Sequence, residues 1–278
     1  MVKVLKSNKL LVYIILAYLI SGIFAFPLII NDTISGSIIY YILIFFAQYG
    51  PLFSSIIVTM LYRKELGIKD FFKQSFKFKF SLYIYILAVM LPFVIMLLGE
   101  LIGSSLIKNY YAYFIMFPNT ILTVLISPFG EELGWRGIAT PELQKKFNPI
   151  TTSIILGIIW SGWHYFYFLI PGAYSNSVPF SIFILSCIAD TFWYTWLYNK
   201  SNGSVISGIL FHISYNLTYH MIPINPIYQN GDITFYTTTI IFEFIGGIII
   251  NIIDIKNTKK VKIKKIPKKV RLFDDDMA

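Results

Sequence analysis

Cysteine is almost absent from this chain of 278 residues; Cys187 is the single one. One thiol can close no disulfide within the chain and build no cysteine metal cluster, so both frameworks are excluded. Inside an apolar run, Cys187 reads as a small packing residue. Charge is scarce as well. Asp, Glu, Lys and Arg make up 13% of the residues, against roughly 25% in a soluble domain. No tandem repeat, low-complexity tract or polar linker divides the chain. That leaves a single domain over residues 1–255, followed by a basic tail, 256–278.

What is present is apolar surface: 56% of residues are hydrophobic and 18% aromatic. Eight runs approach the roughly 20 residues that a helix needs to cross a bilayer. They lie near 10–30, 38–61, 81–103, 112–135, 150–170, 179–198, 204–222 and 233–254. The expected fold is all-α, a multi-pass cell-membrane protein with about eight transmembrane helices. The first run follows Lys3, Lys6 and Lys9 but is about twice as long as a secretory signal core, so it reads as a retained helix. Under this count 22 of the 23 basic residues fall on one side, Lys108 being the exception. Basic loops stay on the cytoplasmic side, so both termini are expected there. The net charge of +9 then needs no nucleic acid, and the tail fits an anionic lipid surface. Segment 63–80, "RKELGIKDFFKQSFKFKF", alternates basic residues with phenylalanine and reads as interfacial.

Ionisable groups in such runs are costly and point to function. They are Glu100, Glu131, Glu132, Arg136, His164, Asp190, His212, His220 and Glu243. Asn148 and Pro149 mark a turn, with Glu131 and His164 each about 16 residues away along an antiparallel hairpin, so the two share a depth. His212 and Asn216 are spaced i to i+4 on one helical face, at a compatible level. Glu132 and Arg136 have the same spacing and read as an ion pair, which leaves Glu131, about 100° around the helix, free for chemistry. Gly130, Gly134 and Gly137 let a neighbouring helix approach. Glu100, near a helix end, can snorkel to water. His220 shares the His212 face but reads as a packing residue, and Asp190 and Glu243 as polar contacts between helices.

A free carboxylate beside two histidines and an asparagine suits hydrolysis. The carboxylate serves as general base, one imidazole helps to hold the water, and the remaining donors face a developing oxyanion. "EELGWR", "WSGWH" and "HISYN" also resemble, in that order, the three signatures of the CPBP (Abi) family of intramembrane proteases, over about residues 110–222. That family includes CAAX prenyl endopeptidases and bacteriocin-processing or immunity proteins. The resemblance implies Glu131 as the water-activating base, His164 as its partner, His212 and Asn216 as oxyanion donors, and Glu132 with Arg136 as the structural pair. Trp160, where phenylalanine is common, Asp190 and His220 are candidates to support the four from behind.

The implied activity is endoproteolysis of a membrane-associated peptide or prenylated protein, at a site open to the cytoplasmic side. The sequence does not name that substrate. The family is often labelled metallopeptidase, and Glu131, His164 and His212 could hold Zn2+. A ligating Glu131 would not easily remain the base, so no required cofactor is the expectation. Zinc-type HExxH, rhomboid-type GxSG and presenilin-type GxGD signatures do not occur. A non-catalytic scaffold or bacteriocin self-immunity protein is the alternative reading, and a proton-relay transporter a more distant one.

Overall fold

The computed structural model describes residues 8–62, 67–106, 118–173, 177–222 and 224–260, and every regular element among them is helical. The principal helices are α1 (Lys9–Ile30), α2 (Ile38–Gln48), α3 (Gly50–Tyr62), α4 (Ile68–Ser75), α5 (Leu82–Leu106) and α6 (Pro118–Gly134). A π-helical turn (Trp135–Ala139) leads into α7 (Thr140–Gln144), α8 (Pro149–Phe168), α9 (Phe180–Lys200), α10 (Ile206–Met221) and α11 (Thr234–Lys260). The basic tail from residue 261 and Lys108 lie outside the described residues.

Four helices, α1, α5, α9 and α11, are long and apolar enough to cross a membrane, or five spans if α2 and α3 count as one. The sequence reading counts eight. The difference falls on α6, α8 and α10, the helices that carry the charged and polar signatures. Those residues dilute their apolar character, and α10 has only 16 residues.

The run at 38–61 is also not one straight helix, because α2 and α3 meet at 44°. Pro51 explains the break: it has no N–H to give to the carbonyl four residues earlier, and its ring crowds that carbonyl. The carbonyl belongs to Ala47, and it accepts the Ser21 hydroxyl at 2.7 Å. Ser21 Oγ in turn accepts the Trp163 indole N–H at 2.7 Å. One bend thereby links α1, α2 and α8.

Helix α6 packs between α3 and α10, while α8 lies against α9 and α1, and α11 against α9 and α5. The expected turn before α8 is built by Asn148, whose side chain accepts the Thr151 N–H, with Pro149 in the first helical turn. The expected close approach at the glycines also occurs. A Cβ at Gly134 would meet the Tyr13 hydroxyl and lie 2.7 Å from the Pro51 carbonyl oxygen, and one at Gly157 would lie 2.6 Å from Ile188 Cα.

Helix α4 caps one end of the bundle. Phe71 is buried against Gly137, and the next residues receive the α9–α10 connection, with Ser75 O accepting Val205 N and Lys77 O accepting Ser204 Oγ. Lys69, Lys73, Lys77 and Lys79 sit in or just after this helix. Nearby Lys200, counted as a loop cation, is instead paired with Asp254 on α11.

Replacing Gly134 by valine should force α6 away from α3 and cost about 1–3 kcal/mol, the usual range for overpacking. A thermal melt of the purified protein in detergent should show a lower Tm. An unchanged Tm would mean that the contact is softer than described.

Candidate active site

Glu131 and Glu132 lie near the end of α6, where both are buried, at 4% and 0% exposure. Because they are adjacent on a helix they point to different neighbours. Glu132 turns toward Arg136 and α10. Its Oε1 accepts Arg136 Nη1 at 3.1 Å, as the i to i+4 spacing requires. The same oxygen also accepts His212 Nδ1–H at 2.9 Å, so the pair taken as purely structural also orients His212. Gly208, one turn earlier on α10, leaves room for this contact, since a Cβ there would lie 3.1 Å from Glu132 Oε2. Arg136 Nε and Nη2 have no acceptor among the described residues. The guanidinium instead stacks 3.7 Å over the Tyr194 ring, a cation–π contact that offsets part of the cost of burial.

Glu131 turns toward α8. Its Oε2 accepts the Trp160 indole N–H at 2.9 Å and lies 3.9 Å from His164 Nε2, beyond hydrogen-bond range. His164 donates Nδ1–H to the Trp160 carbonyl at 2.9 Å, which leaves Nε2 unprotonated and turned to Glu131. Trp160 is thus a direct partner of Glu131 rather than a support at one remove. The signal in the sequence was its spacing of four before His164; its indole donor could not be assigned a target from spacing.

A cavity of about 200 Å³ adjoins these groups. Trp160, His164, His212 and Asn216 line it, so three of the four proposed catalytic side chains share one space and Glu131 stands behind Trp160 and His164. Asp190 and Cys187 of α9 and Tyr215 and Tyr219 of α10 line it too, with Val178, Asn225 and Tyr236 at its far part. His220 is not among the lining residues. The cavity extends from the His212 level away from α4, toward segments 177–183 and 224–236. The expected opening at the basic end finds no support in this free volume, because depth counted from turns locates residues without saying where space remains between helices.

Among the described residues no three His, Cys, Asp or Glu side chains are gathered as a metal site. No step below passes through a metal.

Residues 112–218 match the model of the type II CAAX prenyl endopeptidase Rce1-like family. The chain is also 28% identical over 210 residues to a CAAX prenyl protease 2 of Methanococcus maripaludis, covering 70% of this chain and 76% of the relative. The matched residues 112–218 include the three motifs in order, on α6, α8 and α10. These two similarities support the CPBP resemblance read from the three motifs. They support a peptidase, and the three motifs fall on the buried Glu131, Glu132 and Arg136 and on the two histidines that face them, His164 toward Glu131 and His212 toward Glu132.

The buried pair and an exposed pair on the same stretch of chain make a direct comparison. Arg136→Gln leaves Glu132 in the interior without its cation and should cost about 3–5 kcal/mol. Lys145→Gln removes the exposed Glu142–Lys145 pair and should cost about 0–1 kcal/mol. Chemical or thermal denaturation of both variants reads the difference; equal losses would refute the role given to Arg136.

Proposed function

We propose that this chain is an intramembrane endopeptidase of the CPBP family and the CAAX prenyl protease type, acting on a membrane-associated, prenylated substrate with a water activated by Glu131. The observation that carries this reading is Glu131 Oε2 facing His164 Nε2 at 3.9 Å, beside a cavity that also receives His212 and Asn216. The matched family description and the name of the archaeal relative supply the substrate class.

The steps follow from the donors and acceptors in place. A water held by Glu131 and His164 gives its proton to Glu131 as its oxygen attacks the scissile carbonyl. Negative charge then grows on the carbonyl oxygen, and Asn216 Nδ2 with His212 Nε2 are the donors that meet it. Since His212 Nδ1–H is held by Glu132, donation from Nε2 uses the doubly protonated ring, whose charge the Glu132 carboxylate offsets. The Trp160 N–H holds the Glu131 carboxylate in one rotamer before the water arrives. None of these steps needs a metal.

In this reading α6, α8 and α10 complete the eight-helix membrane domain, with Ile154, Ile158 and Tyr165 of α8 turned outward to lipid. The end carrying α4 faces the cytoplasm, because its lysines favour that side.

The test is cleavage of a prenylated peptide by purified protein in lipid nanodiscs. Glu131→Gln should abolish cleavage while the membrane level of the protein stays normal. Asn216→Ala should lower kcat by about 10²–10³ with little change in KM, the range for one lost oxyanion donor. A chelator should leave the native rate unchanged. Cleavage that survives Glu131→Gln would remove the base from the mechanism and favour a non-catalytic role for this site.

A further inference from the structure

Asp190 and Glu243 are unused by the steps above. Asp190 is 5% exposed, lies midway along α9 and lines the cavity. Glu243, at 0% exposure on α11, contacts it side chain to side chain. Asp190 Oδ1 and both Glu243 carboxyl oxygens have no N–H or O–H donor among the described residues. Neither acid is in a salt bridge there. Two touching carboxylates in an apolar interior repel unless they share a proton. With one proton between them the pair carries a net charge of −1 at the cavity wall. Such a charge is costly to keep in the interior, and a cation that enters the cavity offsets it where a second proton does not.

Peptide hydrolysis makes such a partner. The water oxygen bonds to the carbonyl carbon, the C–N bond breaks, and the nitrogen takes the proton that Glu131 removed from the water. The new carboxylic acid then gives up its own proton to the amine, so the departing fragment ends as an ammonium. Asp190 shares the cavity with His212 and Asn216, the donors assigned to the scissile carbonyl, and the wall beyond is apolar and aromatic, with Val178, Phe183 and Tyr236. We infer that Asp190, backed by Glu243, is the subsite that binds the new amino terminus of the departing peptide, whose apolar side chains fill the far part of the cavity. This rests on the peptidase reading and names which half of the product the cavity holds.

The experiment is direct calorimetric binding to the full chain in detergent. The probes are an apolar tripeptide with a free amino terminus and the same tripeptide N-acetylated. A charge-assisted contact predicts at least about 10-fold tighter binding of the free amine to the native protein. Asp190→Asn should bring the ratio near one. Glu243→Gln, which gives Asp190 an N–H donor and leaves its charge, should keep the preference. Equal affinities for the native protein, no binding of either peptide, or a preference undiminished in folded Asp190→Asn would overturn the subsite. The native comparison decides even if Asp190→Asn does not fold. Cleavage measured in parallel separates the two readings: activity without amine preference sinks the subsite alone, and amine preference without any cleavage sinks the peptidase reading and leaves Asp190 as an amine-binding site with no product to hold.

Discussion

One carboxylate oxygen organises the centre of this molecule. Glu132 Oε1, in a residue fully removed from solvent, receives both the Arg136 guanidinium and the His212 imidazole. In an apolar surround an unpaired charge is expensive, so each of these groups needs the other two. The consequence is mechanical as well as electrostatic: α6 and α10 are held in one register, and His212 has one ring nitrogen fixed. Asn216, one turn further along α10, is carried to its place on the cavity wall by the same register. The π-helical turn directly after α6 holds Arg136 where its guanidinium reaches the Tyr194 face, so the cation is covered on one side by carboxylate and on the other by an aromatic ring.

The second histidine is placed by an independent set of contacts. Helix α8 is tied to α1 through Trp163 Nε1 to Ser21 Oγ and through the Tyr18 hydroxyl to the Ile159 carbonyl. Ser21 is itself committed to the carbonyl that Pro51 leaves open at the α2–α3 bend. A feature that looks like a local defect, a proline that breaks a span, therefore supplies the acceptor that anchors the helix bearing Trp160 and His164. The Trp160 ring also packs edge-on against His164, Tyr194 and His212. Ring edges fix the imidazoles without using their Nε2 atoms, which stay available for water and substrate.

The sequence makes the local relations legible and leaves the distant ones hidden. Spacing alone pairs Glu132 with Arg136, places His212 and Asn216 on one face, and brings Glu131 level with His164 across the Asn148–Pro149 turn, because each relation depends only on helix geometry. The bond from Glu132 to His212 joins residues 80 apart and that from Trp160 to Glu131 residues 29 apart; both depend on how helices rotate against each other, which glycine contacts such as Gly134 and Gly208 decide. The contact between Asp190 and Glu243 is hidden for the same reason: each looks alone like an isolated polar residue in an apolar run. The span count differs for another reason, since hydropathy measures the average apolarity of a helix and the charged and polar signatures lower that average on α6, α8 and α10.

Charge bookkeeping connects these observations. Glu131 and Glu132 contribute two negative charges, and Arg136 with a protonated His212 contributes two positive ones, so the four groups can all ionise in a low-dielectric interior without a net charge. In the proposed mechanism such neutrality would let a buried carboxylate act as a base while its neighbours hold an oxyanion, because proton transfer to Glu131 and charge on the substrate oxygen would change together and the total would be conserved. Asp190 and Glu243 stand outside that balance. Sharing one proton, they leave a single negative charge at the cavity wall, and the one step of hydrolysis that creates a cation is the formation of the new amino terminus. On the proposed reading the inner set is complete before substrate arrives, and the outer pair would become complete when the peptide bond has been cut.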